Sequence, residues 1–306
     1  MGLGLRLADR RVPSFLQCWQ DYAVNATFGD ELTAPVLIRD LRTLGVTTGS
    51  TLLVHSSLRS LGRRVAGGAG TVVDALLGAL GPSGTLVVPA QSPQCQDPSR
   101  WSHTSPPDYT WARLRHTLPP FDPARTPSVG MGALAERVRT WPGAVRSGHP
   151  LTSFAAVGPA AAGLMAGHEV DSLLGPRSPL ARLEEADAQV LLLGVGYDRC
   201  TSFHLAEYRL PDPRRRTVSC VVDRGAGREW IRFDTIELDA SDFDQLGKDL
   251  ENSTGWVRRG PVAAAEARLL PVAPATAFAR RWLLRHRLGI RPPSPTGPPQ
   301  ASVGRS

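Results

Sequence analysis

Of the 35 basic residues in this chain only one, Lys248, is a lysine, and no glycine-rich loop precedes it, so a Walker-type phosphate loop is excluded. Long apolar runs are missing too: nothing approaches the roughly 20 residues that cross a bilayer. The opening stretch "MGLGLRLADRRVP" lacks an apolar core and a small-residue cleavage site, and position 6 is Arg where a myristoylation motif has Ser or Thr. The expectation is a cytoplasmic protein with no membrane partner. Cysteine is sparse. Cys18, Cys95, Cys200 and Cys220 are scattered without a CxxC, which suits reduced thiols better than a disulfide framework. Cys200 and His204 form C-x3-H, but no second spaced pair completes a metal site, so no metal is expected. "LLLGVGYD" has Gly194 and Gly196 without the third glycine of a dinucleotide fingerprint, and no G-x-S-x-G elbow of a serine hydrolase occurs.

Acidic residues are absent from the last part of the chain. Five arginines (Arg281, Arg285, Arg287, Arg291, Arg305) lie from residue 281 onward, and removing them from the net charge of +7 leaves only +2 on everything before. Such a basic end reads as a solvated tail. Aromatic interleaving for base stacking is lacking, so nucleic acid is not an expected partner.

What is present is an alternation of strands and helices. "LTAPVLIRDLRTLGV" reads as a helix with Thr33 at its N-cap and Gly45 just past its end, and "STLLVHSS" as a buried strand running into a polar tip. "GGAGTVVDALLGALG" (helix), "GTLVVPA" (strand), and the short helices "MGALAERVRTWPG", "PAAAGLMAGH" and "SPLARLEEAD" continue the pattern. The apolar strand in "AQVLLLGVGYDRC", the strands "RRTVSCVVD" and "REWIRFDTIEL", and the helices "DFDQLGKDLE" and "TAFARRWLLRHR" follow. The fold class expected is α/β, a largely parallel central sheet flanked by helices, with additional C-terminal strands. Residues 1–30 read as an N-terminal extension, 31–288 as one catalytic domain, and 289–306 as a Pro-rich tail expected to be disordered. The segment from Ser92 to Pro120, with Trp101, His103, Tyr109 and Trp111, is too long for a simple connection and reads as a functional loop with a helical turn or two.

"TSFHLAEYR" sets His204 and Glu207 one helical turn apart directly after an apolar strand. On a helix, i and i+3 side chains share a face, so imidazole and carboxylate can hydrogen-bond. The spacing fits a surface pair on a solvated helix, which is the commoner case, and also a general base held in one tautomer, and spacing alone does not choose. Cys200 as a nucleophile with His204 as its base is an alternative, against a buried thiol that only fills space. Ser56 and Ser57 sit at a strand's carboxyl end, where α/β sheets bind ligands. A plain Ser-rich turn fits as well.

Taken together, "LLVHSSLRSLG", "GGAGTVVDAL", "GTLVVPA", "FDPARTPSVGMGALAERVR", "PGAVRSGHPLTSFAAVG", "GPRSPLARL" and "VLLLGVGYDRCTSFHLAEYR", in this order, resemble the aminoglycoside 3-N-acetyltransferase family, from about Leu32 to about His286. That resemblance implies the antibiotic acetyltransferase fold, distinct from the larger acyl-CoA N-acetyltransferase superfamily. In keeping with this, "LLLGVG" has Leu191 where that superfamily's acyl-CoA loop has Gln or Arg. It implies acetyl transfer from acetyl-CoA, as co-substrate, to the 3-amino group of a deoxystreptamine aminoglycoside, and with it antibiotic resistance. The family's T-x-x-H-x-x-E pattern falls on Thr201, His204 and Glu207, giving a general base oriented by a carboxylate. Its H-S-S pattern falls on His55, Ser56 and Ser57, and its R-S-x-H-P pattern on Arg146, Ser147, His149 and Pro150, expected as acyl-CoA and active-site elements. A cationic acceptor needs clustered carboxylates; Asp97, Asp108, Asp122, Glu136 and Glu207 are the candidates, with Glu136 and Asp122 assigned to substrate binding. An acyl-CoA-dependent N-acyltransferase acting on another amine, for example in natural-product biosynthesis, remains the alternative, and a non-catalytic CoA-binding relative a third. Monomer and homodimer are both left open.

Overall fold

The carboxyl ends of two adjacent parallel strands organise this molecule. The computed structural model describes residues 31–101, 106–223, 225 and 227–290. The expected extension at 1–30, the tail from 291 onward and His103 therefore lie outside the described residues. Helix α1 (Ala34–Leu44) carries Pro35 in its first turn and stops at Gly45, whose φ of 114° no side-chain-bearing residue adopts readily. Thr33 occupies the N-cap position as expected, but its hydroxyl makes no capping bond.

Strands β1 (Thr51–Ser56), β2 (Thr85–Pro89), β3 (Val145–Arg146), β4 (Phe154–Val157), β5 (Gln189–Leu193), β8 (Arg258–Val262) and β9 (Ala265–Pro271) form one sheet in the order β3-β4-β2-β1-β5-β9-β8. Five of the seven point the same way; β4 and β9 run against them. The parallel centre is β2-β1-β5, and strands β6 (Arg215–Asp223) and β7 (Arg228–Ile236) make a separate antiparallel ribbon.

Strand alternation divides the core in two. Leu52, Val54, Leu86, Val88, Leu191 and Leu193 face one side, against α1, α2 (Ala69–Leu80) and α4 (Gly132–Arg139). Leu53, Val87, Val190 and Leu192 face the other, against α5 (Ala161–Met165), α6 (Pro179–Glu185), α7 (Phe203–Glu207), α8 (Phe243–Ser253) and α9 (Val272–Leu288). The connection from β1 to β2 runs through α2 on the first face, and α6 leads into β5 from the second. β1 and β5 thus meet at a topological switch point, the place where open α/β sheets leave a crevice. Ser57 N donates to Leu193 O (2.9 Å) and ties the two tips together. Gly194 follows with φ 66°; a Cβ there would lie 2.3 Å from Ser60 Cβ, so only glycine lets the tips approach this closely.

The long segment is built as expected, from short helical turns and α3 (Trp111–Thr117). It lies along the ribbon, with Asp97 N bonded to Ser219 O and Phe121 N to Val221 O. Strands β3–β4 and β8–β9 were not foreseen. β3 has two residues, and β8 is an exposed edge containing Gly260 and Pro261. The β8–β9 hairpin turns through Ala263 at φ 51°, where no turn-forming residue announces it.

Candidate active site

Alternation along β1 decides where its polar tip points. His55 has the parity of Leu53, so it faces α7, while Ser56 has that of Val54 and faces α4. A cleft of about 1010 Å³ opens beyond these tips, lined by His55, Ser56, Ser57, Thr201 and His204 among others. Gly130 to Ala135, Pro93, Gln96, Arg216 and Leu238 complete its walls. Five of the residues singled out from sequence therefore share one surface.

His204 sits on the five-residue helix α7, and its Nδ1 lies 2.5 Å from Glu207 Oε2. With Nδ1–H donated to the carboxylate, Nε2 keeps its lone pair on the cleft side of the ring. The ring packs on Phe243, centroids 4.8 Å apart, which fixes its plane. Glu207 is buried behind it and does not line the cleft. Its Oε1 accepts from Asp239 N (3.1 Å) and from Arg287 Nη1 (2.5 Å). Thr201 Oγ1 lies 3.3 Å from His55 Nε2. Burial first, and then the neighbouring His204, pull His55 down to about 3, so this second histidine of the cleft stays neutral. Two imidazoles face the same space, and only one has a carboxylate at its back.

Cys200 is fully buried, Sγ 3.2 Å from Ser202 Oγ, and burial pushes its thiol up to about 11. It does not line the cleft. A buried, protonated thiol is a poor nucleophile.

Other expected site residues fall elsewhere. Arg146 Nε donates to Ser153 Oγ (3.0 Å), Nη2 to Ala90 O (2.6 Å) and Nη1 to Thr126 O, so its guanidinium is a strut between three segments. Ser147 Oγ accepts from Phe154 N (2.9 Å) and donates to His168 Nδ1 (3.0 Å). His149 Nδ1 accepts from Leu151 N and Thr152 N (both 3.0 Å), and its Nε2 donates to Val170 O (3.0 Å). Every polar atom of these two side chains is spent inside the protein, and both are wholly buried. They brace the Leu151–Thr152 wall of the cleft and do not face it.

Glu136 and Asp122 also depart from expectation, because neither carboxylate lines the cleft. Glu136 takes Ser128 N (2.9 Å), Ser128 Oγ (2.7 Å) and the Arg139 guanidinium. Burial pushes this carboxyl up, but the bonds from Arg139 and Ser128 outweigh it and hold it at about 2. Asp122 closes a turn by accepting from Ala124 N (2.8 Å). Asp97 is likewise occupied, by Arg115 at 2.8 Å, and Asp108 accepts from Tyr109 N at 2.9 Å. Of the five candidates only Glu207 meets His204; Asp198 lines the cleft, with Asp244 Oδ1 accepting from its N (3.1 Å), and Asp239, whose N donates to Glu207, lies off the lining. No group of three or more His, Cys, Asp or Glu able to hold a metal occurs among the described residues. No helix among them is long and apolar enough to cross a membrane.

Comparison with known proteins shows the family. The family profile described as Aminoglycoside 3-N-acetyltransferase matches residues 53–284. The SPbeta prophage-derived aminoglycoside N(3')-acetyltransferase-like protein YokD of Bacillus subtilis is 35% identical over 261 residues, covering 83% of this chain and 93% of YokD. Its crystal structure superposes with a TM-score of 0.81, over 84% of this chain and 95% of that one. The structure of AAC-IIIb in binary complex with CoASH is 32% identical with a TM-score of 0.76, over 86% and 99% of the two chains. AAC-VIa bound to sisomicin is 36% identical with a TM-score of 0.74, over 83% and 97%. The protein described here belongs to the aminoglycoside 3-N-acetyltransferase family of acyltransferases.

Proposed function

We propose that residues 31–288 form a catalytic unit that transfers the acetyl group of acetyl-CoA to the 3-amino group of a deoxystreptamine aminoglycoside. His204 serves as general base and Glu207 orients it. One observation carries this reading: in a member of this family, the His204–Glu207 bond leaves an imidazole nitrogen open to the cleft. The amine nitrogen attacks the thioester carbonyl carbon and loses a proton to His204 Nε2. Collapse of the tetrahedral adduct breaks the C–S bond, and the leaving sulfur takes that proton, giving N-acetyl product and free CoA thiol. Thr201 Oγ1 and neutral His55 are placed at the same tips to steady the carbonyl oxygen as its charge grows. Glu207 supplies the compensating charge when His204 becomes imidazolium.

The donor's phosphates find matching chemistry in Arg59, Arg199 and Arg216, all on the cleft lining. A relative bound to CoASH supports this donor. The acceptor reading is supported by the relative bound to sisomicin and by Asp198 on the cleft lining, backed by Asp244, whose Oδ1 accepts from Asp198 N. The Asp239 carboxyl is held below its ordinary value, chiefly by hydrogen bonds from Ser241, and adds negative charge beside His204. The test is free-thiol release from acetyl-CoA against a panel of aminoglycosides and simple amines. Turnover with the aminoglycosides is the expected result. Turnover confined to the simple amines would move the acceptor to the other class of amine.

A further inference from the structure

Arg287 belongs, by composition, to a basic chain end, and the family match stops at residue 284. The structure puts its guanidinium elsewhere. It lies in the last turn of α9, with 21% of its side chain exposed, and four of its five N–H groups are engaged. Nη1 reaches Glu207 Oε1 (2.5 Å), Nε and Nη2 take the two oxygens of Asp242 (2.8 and 2.5 Å), and Nη2 also donates to Asp239 O (2.6 Å). Asp239 N returns to the same Glu207 oxygen, so guanidinium and backbone amide converge on one carboxylate atom. The other oxygen of that carboxylate is left to His204.

We propose that Arg287 is a positioning residue for acetyl transfer: by holding Glu207 Oε1 it turns Oε2 onto His204 Nδ1 and fixes the imidazole as the base. The inference rests on the reading of His204 as that base. Its physical reason is that a buried carboxylate needs both a partner charge and filled lone pairs, and among the described residues Arg287 is the one that meets Glu207 with a formal positive charge. A planar fork spanning Glu207, Asp242 and Asp239 also fixes the carboxylate's rotation, which a point charge would not. Phe243 makes the arrangement rigid, with the His204 ring 4.8 Å from its centroid and the Arg287 guanidinium 5.9 Å from it. Burial pulls Arg287 down, but its bonds to Asp242 and Glu207 outweigh this, so it stays charged at any working pH.

The test compares Arg287→Gln, Arg287→Lys, Arg287→Met and, from the same helix, Arg280→Gln, whose Nε bonds only the Arg209 carbonyl. His204→Ala is measured alongside, and each variant is melted to establish that it is folded. Arg287→Gln should lose kcat by about 10–100-fold, less than the loss of the base itself, which is worth about 10²–10⁴-fold, with KM for acetyl-CoA within about twofold of wild type. The acid limb of its pH–rate profile should move to higher pH. With the cation gone, Glu207, Asp239 and Asp242 remain and favour imidazolium over the free base, while Arg59, Arg199 and Arg216 of the cleft lining are the same in every variant and His55 stays neutral throughout. Arg287→Lys keeps the charge and loses the fork, so kcat should fall with little displacement of the limb. Arg287→Met should behave as Arg287→Gln, and Arg280→Gln as wild type. A folded Arg287→Gln with unchanged kcat and pH profile overturns the proposal, as does an equal loss in Arg280→Gln, which would assign the effect to helix packing. If His204→Ala is inactive while Arg287→Gln is normal, the positioning role alone is lost. An active His204→Ala removes the base, and the role with it.

Discussion

Two regions of this molecule carry the same kinds of side chain and use them in opposite ways. At the β1 and β5 tips stand His55, Thr201, His204 and Glu207; beside β3 and β4 stand Arg146, Ser147, His149 and His168. Each set has histidines, a hydroxyl and a charged partner, and each matched a motif in the sequence. In the second set both nitrogens of His149 and of His168 are taken by protein groups, and the two rings lie 4.6 Å apart in the core. In the first, Glu207 takes one nitrogen of His204 and the other is left to the cleft. The difference teaches that a histidine's partners, more than its neighbours in sequence, separate an imidazole open to a cleft from a brace.

The sharpest break of this comparison is His204→Ala, which should fold, bind acetyl-CoA and lose about 10²–10⁴-fold in kcat, the span of general-base catalysis. Steady-state kinetics with a binding isotherm for acetyl-CoA check it, and near-normal turnover would erase the distinction between the regions. His149→Ala is the counterpart from the other side. It strands Leu151 N, Thr152 N and Val170 O, each costing on the order of 1–3 kcal/mol when buried without a partner. Denaturant melts should show a loss of several kcal/mol, while the kcat of the protein that stays folded changes far less than in His204→Ala.

Acid titration sharpens the contrast further. Burial holds His149 at about 4 and His168 at about 3, below the ordinary value of 6.5. Protons therefore bind the unfolded chain first, so the stability from this pair is complete above about 6.5 and is lost as pH falls through about 4 and 3. Replacing His168 by Leu should flatten the fall of Tm between pH 6 and pH 4; an unchanged slope would mean the acid loss arises elsewhere. The smallest effect is expected of Cys200→Ala. Its thiol is buried away from the cleft, so kcat should stay within about 10-fold, the loss reflecting packing. An acetylated Cys200 in the mass spectrum, discharged by amine, would reverse that reading.

Much of this was legible in the residues. Long apolar runs marked β1, β2 and β5, glycines marked the ends of α1 and α2, and the i,i+3 spacing of His204 and Glu207 gave the pair its geometry once α7 formed. The β8–β9 hairpin was not legible, because alanines and alternating charges in "AEARLLP" carry no strand signal without a partner strand. Arg287 was hidden for another reason. Its bond to Glu207 spans 80 residues, and nothing local distinguishes it from the arginines around it. Glu136 misled because a carboxylate near a cleft-lining helix turn looks free until Ser128 and Arg139 are seen to consume it.

The segment 92–120 and the β6–β7 ribbon make one wall of the cleft through Pro93, Gln96 and Arg216, yet they stand outside the seven-stranded sheet. Their backbones are bonded to each other, whereas the His204–Glu207 pair sits on α7 and is bonded to Asp239 and to Arg287 of α9. The wall and the His204–Glu207 pair are thus held by separate sets of bonds. A side chain exchanged on the wall at Pro93 or Gln96 therefore changes the shape of the cleft without touching the bonds that hold the imidazole.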